Sequence, residues 1–69
     1  MRKKVFIEGM SCMNCVKHVK VALEEISGMI SVEVDLAGKF AMIEGDVQDS
    51  VIIDVLKEEE YVVTRIENL

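Results

Sequence analysis

Lys3-Lys4-Val5-Phe6-Ile7-Glu8-Gly9-Met10-Ser11-Cys12-Met13-Asn14-Cys15-Val16 changes its period halfway along, and that change decides the fold. Before Gly9 the side chains alternate. Val5 and Ile7 fall on one face and Lys4, Phe6 and Glu8 on the other, which is the two-residue period of a strand over Lys3 to Glu8. After Gly9 the apolar residues Val16, Val19, Leu23 and Ile26 recur at spacings of three, four and three, one stripe of a helix, with Lys17, Lys20, Glu24 and Glu25 on the wet side. Gly28 is placed to stop this helix from just beyond its end.

The remaining sequence extends that order. Ile30 to Asp35 alternates through Val32 and Val34 as a second strand, and Ala37-Gly38 marks a hairpin turn. Lys39 to Glu44 follows as a third strand, expected to carry Phe40 and Met42 inward and to leave Ala41 and Ile43 outward beside Phe6. Asp46 to Asp49 supplies polar N-cap candidates for a second helix, in which Ile52, Val55, Leu56 and Glu59 keep helical spacing. A last short strand runs from about Val62 to Glu67. The order βαββαβ predicts an α+β, ferredoxin-like sandwich: a four-stranded antiparallel sheet with two helices on one face. No linker or low-complexity tract interrupts it, so residues 1–69 are expected to form one domain.

Composition narrows the function. A chain of 69 residues buries only about 60% of its unfolded surface, enough for one small core. Although 51% of the residues are hydrophobic, no apolar run approaches the roughly 18 residues that span a membrane. The start, Met1-Arg2-Lys3-Lys4, is followed by too short an apolar stretch for a signal peptide, and the protein is expected to be soluble and cytoplasmic. A net charge of −5 argues against nucleic acid as a partner. Two cysteines are too few for a disulfide scaffold, and in a reducing compartment so close a pair points to metal or redox chemistry.

Cys12 falls in the loop after the first strand and Cys15 in the first turn of the first helix, so both sulfurs can converge on one point above the end of the sheet. The positive end of the helix favours thiolate, the form that binds metal. A closed zinc site needs four ligands, and beyond the cysteines the neighbourhood offers only Ser11, Asn14 and His18. Two sulfurs alone suit a soft ion of low coordination, of which Cu(I) is the biologically common one; Hg(II) likewise accepts two thiolates in a line. Such a site leaves the ion open to a third sulfur from another protein, which is what transfer requires. A thioredoxin-like oxidoreductase also uses Cys-x-x-Cys at a helix start, but it is larger and relies on a cis-proline, whereas this chain contains no proline.

Gly9-Met10-Ser11-Cys12-x-x-Cys15, between the first strand and first helix of a βαββαβ chain of this size, resembles the heavy-metal-associated domain of bacterial copper chaperones and of the N-terminal domains of copper-transporting P-type ATPases. The resemblance covers nearly the whole chain. It implies that Cys12 and Cys15 ligate one Cu(I), that the domain is a carrier and not an enzyme, and that it hands metal to a copper-transporting P-type ATPase or a similar metal-binding domain. It implies a mostly monomeric protein without membrane insertion, with a metal-bridged dimer as an alternative state and with Hg(II), Zn(II) or Cd(II) as ions taken in vitro. Family members that take Zn(II) or Cd(II) often carry aspartate directly before the first cysteine, where this chain has Ser11.

The same resemblance makes Met10 a core residue under the loop, with thioether ligation the alternative. Met13 becomes an apolar contact for a docking partner. His18, three residues beyond Cys15, is a candidate weak third ligand or an ordinary surface histidine. Lys17 and Lys20 are expected on the exposed side of the helix, able to steer an acidic partner or simply solvated. Tyr61 falls where bacterial copper chaperones resemble one another in carrying tyrosine near the metal loop, with a shielding or hydrogen-bonding role toward a thiolate. Just before it, family members usually place glycine, and this chain closes a run of Glu58, Glu59 and Glu60. The loop carrying Tyr61 is therefore expected to sit differently.

Overall fold

The computed structural model describes residues 1–69. Its elements are β1 (Arg2–Glu8), α1 (Met13–Glu24), β2 (Met29–Asp35), β3 (Phe40–Gly45), α2 (Asp49–Glu58) and β4 (Val62–Asn68). The strands form one antiparallel sheet in the order β2-β3-β1-β4, and both helices cover one face of it, α1 against β2 and α2 against β4. This is the ferredoxin-like βαββαβ arrangement that the element order predicts.

Between the helices and the sheet lies a core in which Val5 and Ile7 of β1 meet Val19 and Leu23 of α1 and Ile52 and Leu56 of α2, all fully buried. The alternation in β1 and the stripe of Val16, Val19 and Leu23 on α1 therefore do what their spacing implies, while Ile26, expected to continue the stripe, packs against the core from beyond the end of the helix. In β3 the faces are the reverse of the expectation. Ala41 and Ile43 are buried, whereas Phe40 and Met42 lie on the open face. Register explains the reversal: β1 places Val5 opposite Ala41 and Phe6 opposite Phe40, and directly opposed residues share a face.

Phe6 and Phe40 meet on the open face with ring centroids 6.1 Å apart and planes tilted by 59°. Lys4 lies 4.3 Å from the Phe40 ring centre and Arg65 4.6 Å from that of Phe6. Cations over the ring faces make the pair tolerable at a wetted surface.

Gly28 also departs from its expected place. Helix α1 ends at Glu24 with Glu25 as its cap, two residues earlier than a stop at Gly28 requires. Gly28 instead has φ +94 in the turn entering β2, where an added Cβ would lie 2.6 Å from the Asp46 carbonyl oxygen. A close backbone approach, not helix termination, demands glycine there.

Lys3 is 6% exposed among apolar residues on the helix-facing side of β1. Its ammonium donates to the Val47 carbonyl at 2.8 Å and pairs with Asp49, the first residue of α2. The buried charge is thus satisfied, and it ties the start of α2 to the far end of β1.

Candidate metal centre

Cys12 is the N-cap of α1, in extended backbone at φ −157 and ψ 174, and Cys15 stands three residues later in the first turn. That offset places both side chains on one side of the helix start, with the Cys12 thiol donating to Cys15 Sγ at 3.8 Å. Both cysteines are free, Cys12 exposed and Cys15 half-buried. No side chain caps the first turn, so the positive end of the helix on which both cysteines stand is not neutralised by a cap.

The thiol of Cys15 is pulled down from 9.0 to about 6, chiefly by a hydrogen bond from the Ser11 backbone and then by the hydroxyls of Tyr61 and Ser11 and the Cys12 thiol. Ser11 Oγ lies 3.8 Å from the sulfur. The same contact pushes the Tyr61 hydroxyl up from 10.0 to about 12, because its proton is held by Cys15 and its site is shielded from water. Near neutral pH, Cys15 is therefore a thiolate and Tyr61 a hydrogen-bond donor.

Tyr61 reaches the pair because the loop after α2 keeps its geometry in spite of Glu60. Glu60 takes the left-handed conformation at φ +68, its N–H donates to the Lys57 carbonyl at 3.0 Å, and the Tyr61 N–H donates to the Leu56 carbonyl at 2.9 Å. These two bonds are the glycine-type helix ending, completed here by a glutamate. The expected displacement of the loop does not occur. On the other side of the ring, Gly9 adopts φ +102, and a Cβ there would meet Tyr61 Cδ1 at 3.3 Å. Gly9 thus admits the ring, a role that its position between a strand and the motif does not advertise.

The remaining candidates divide cleanly. Met10 is buried in the core cluster beneath the loop, and Met13 is 60% exposed beside the cysteines. His18 borders a surface groove with Val21, Glu25 and Glu59, and it joins no group of three or more metal-ligating side chains. Lys17 and Lys20 are exposed on α1. The structure thus brings Ser11, Cys12, Cys15 and Tyr61 together, with Met10 as support below. No helix is long and apolar enough to cross a membrane.

The fold is shared with known proteins. Among solved structures, a CopZ metallochaperone superposes with a TM-score of 0.88 at 30% identity, covering 93% of this chain and 100% of that one. A copper binding domain from HMA7, a P-type ATPase, gives a TM-score of 0.86 at 26% identity over 99% of this chain and 100% of that one. Oxidized MerP from Ralstonia metallidurans CH34 shares the fold, with a TM-score of 0.86 at 20% identity over 94% and 97% of the two chains. No curated protein matches the chain closely enough to count. The model of the heavy-metal-associated domain matches residues 4–61, which take in both cysteines and Tyr61, and the chain belongs to that family.

Proposed function

We propose that this protein is a carrier, not an enzyme, that binds one Cu(I) through Cys12 and Cys15 in the cytoplasm. It passes the ion to a copper-transporting P-type ATPase or a similar metal-binding domain. The observation that carries this reading is the pair of free sulfurs 3.8 Å apart at the solvent-facing start of α1, one of them held as thiolate near neutral pH. Soft anionic sulfur selects a soft cation, and the likeness to a CopZ metallochaperone at 30% identity points the same way.

Transfer follows from how little encloses the pair. Metal–sulfur bonds of about 2.3 Å from two sulfurs 3.8 Å apart meet at an angle of about 110° and leave one side of the ion bare. A thiolate of the receiving domain adds on that side and Cys12, the more exposed ligand, departs; a second thiolate of that domain then adds before Cys15 leaves. At each stage the ion keeps at least two sulfurs, so it never enters water. Exposed Met13 offers apolar contact to the docking surface.

The test is competition of Cu(I), Zn(II) and Hg(II) for the reduced protein against a chelator of known strength, with native mass spectrometry reporting stoichiometry. One Cu(I) per chain, held far more tightly than Zn(II), is expected. Cys12→Ser and Cys15→Ser should each abolish tight binding while keeping the far-UV circular dichroism; retained affinity in both variants overturns the assignment. Tighter retention of Hg(II) with fast exchange between proteins, beside poor Cu(I) exchange, would instead identify a mercury carrier.

A further inference from the structure

We propose that the free edge of β4 is a self-docking surface: two copies of this chain pair their β4 strands antiparallel about Ile66, setting Arg65 of each opposite Glu67 of the other. The inference is independent of which ion the cysteines carry.

The sheet order leaves β2 and β4 as its edges. In β4, Leu69 N–H donates to the Arg2 carbonyl at 2.9 Å, so by the alternation of an antiparallel ladder Glu67 and Arg65 also direct their backbone groups at β1. The N–H and C=O of Ile66 and Asn68 point the other way, toward the open edge. A strand with such an edge is a template for another strand, and neither proline nor a covering element blocks this one.

Side-chain charge selects the register. Outward-directed residues must face outward-directed residues, which allows two-fold axes at Arg65, Ile66 or Glu67. An axis at Arg65 sets guanidinium against guanidinium, and one at Glu67 sets carboxylate against carboxylate. Only the axis at Ile66 is complementary, giving two Arg65–Glu67 pairs between copies on the open face and Ile66 against Ile66 on the helix face. Arg65 and Glu67 are both well exposed and already pair along the strand at 3.0 Å, so both charged groups stand within reach of a second copy on this edge.

The flanks agree with this placement. Beside the edge, an apolar cleft lined by Ile53, Lys57, Tyr61, Val62 and Val63 opens between α2 and β4, and Val62 and Leu69 are both more than half exposed. Ladder pairing ends at Thr64, the extra residue where the β1–β4 register shifts, which keeps the contact small. The other edge does not offer the same solution, because the charged residues of β2, Glu33 and Asp35, are both acidic and self-pairing would oppose carboxylates. Antiparallel pairing about Ile66 sends the two Val62 ends, and the cysteine loops beside them, in opposite directions, separated by on the order of 25 Å. Both loops therefore stay open to other proteins.

The test uses the full chain, reduced and treated with chelator so that neither metal nor disulfide can bridge copies. Sedimentation equilibrium should show a mass rising from 7.8 kDa toward twice that value as concentration approaches roughly a millimolar, with amide exchange slowing at Ile66 and Asn68. Arg65→Glu and Glu67→Arg should each lower the association constant about tenfold or more. An equimolar mixture of the two variants should associate again, since each supplies the charge that the other lacks. A mass constant at 7.8 kDa across that range, protection at α1 instead of β4, or a mixture no better than its components overturns the proposal.

Discussion

Tyr61 and Cys15 move each other's protons in opposite directions: the thiol falls to about 6 while the phenol rises to about 12. After the Ser11 backbone, a buried hydroxyl at the end of one helix is the next largest influence on the charge of a sulfur at the start of the other. This contact links two chain segments 46 positions apart and helps to hold Cys15 ready as a ligand.

Alkylation of Cys15 in the metal-free protein, followed by peptide mass mapping, should show a rate that rises with pH through a midpoint of about 6. Tyr61→Phe keeps the ring against Gly9 but removes the hydroxyl, and the midpoint should move upward toward 9.0, only part of the way because the Ser11 backbone bond persists. An unchanged midpoint would show that the hydroxyl does not act on the sulfur. The linked stability has a definite sign. For Cys15, with a lowered folded value, the contribution is fully present above about pH 9 and is lost as pH falls through about 6. For Tyr61, with a raised value, it is present below about pH 10 and is lost as pH rises through about 12.

Glu60→Gly should stabilise the protein by about 1 kcal/mol. Glutamate at φ +68 meets a steric cost that glycine does not, and its carboxylate opposes the dipole at the end of α2. Urea denaturation at pH 7 provides the measurement, with the midpoint moving up and the slope unchanged. A loss of stability on substitution would mean that the Glu60 side chain makes a contact outweighing its strain.

Lys3→Met should cost about 1 to 3 kcal/mol despite its apolar gain, because it leaves the Val47 carbonyl without its donor and Asp49 without its cation. Asp49→Asn should cost less, about 1 kcal/mol or below, since Asp49 is 45% exposed and water replaces much of what is lost. Thermal unfolding of the two variants side by side distinguishes a structural lysine from an incidental one. Equal effects would place the weight on the ion pair and not on the carbonyl.

The sequence discloses this fold where its patterns are unambiguous. Alternation in β1 and the stripe Val16, Val19 and Leu23 in α1 each admit one orientation, and both are observed, whereas Ile26, the expected fourth member of the stripe, lies beyond the end of the helix. In β3 the run Phe40-Ala41-Met42-Ile43 is apolar throughout, so no alternation marks its buried face, and register with β1 decides it. The cysteines were legible because a three-residue offset at a helix start fixes where two side chains point. The backbone bond from Ser11 and the left-handed turn at Glu60 were not, because both depend on how a loop closes in three dimensions and leave no periodic trace.

Cys12 occupies the N-cap without supplying the hydrogen bond that serine or aspartate would make there, which forgoes about 1 kcal/mol of anchoring for the first turn of α1. The first turn is therefore held by backbone bonds such as that from the Val16 N–H to the Cys12 carbonyl at 3.2 Å, and the sulfurs ride on it. A two-coordinate ion in a straight line needs them about 4.6 Å apart, against 3.8 Å at rest. The difference is about 0.8 Å, and because Cys12 has no capping bond to give up, widening the grip around a straight-coordinated cargo costs no side-chain-to-backbone hydrogen bond at the helix start.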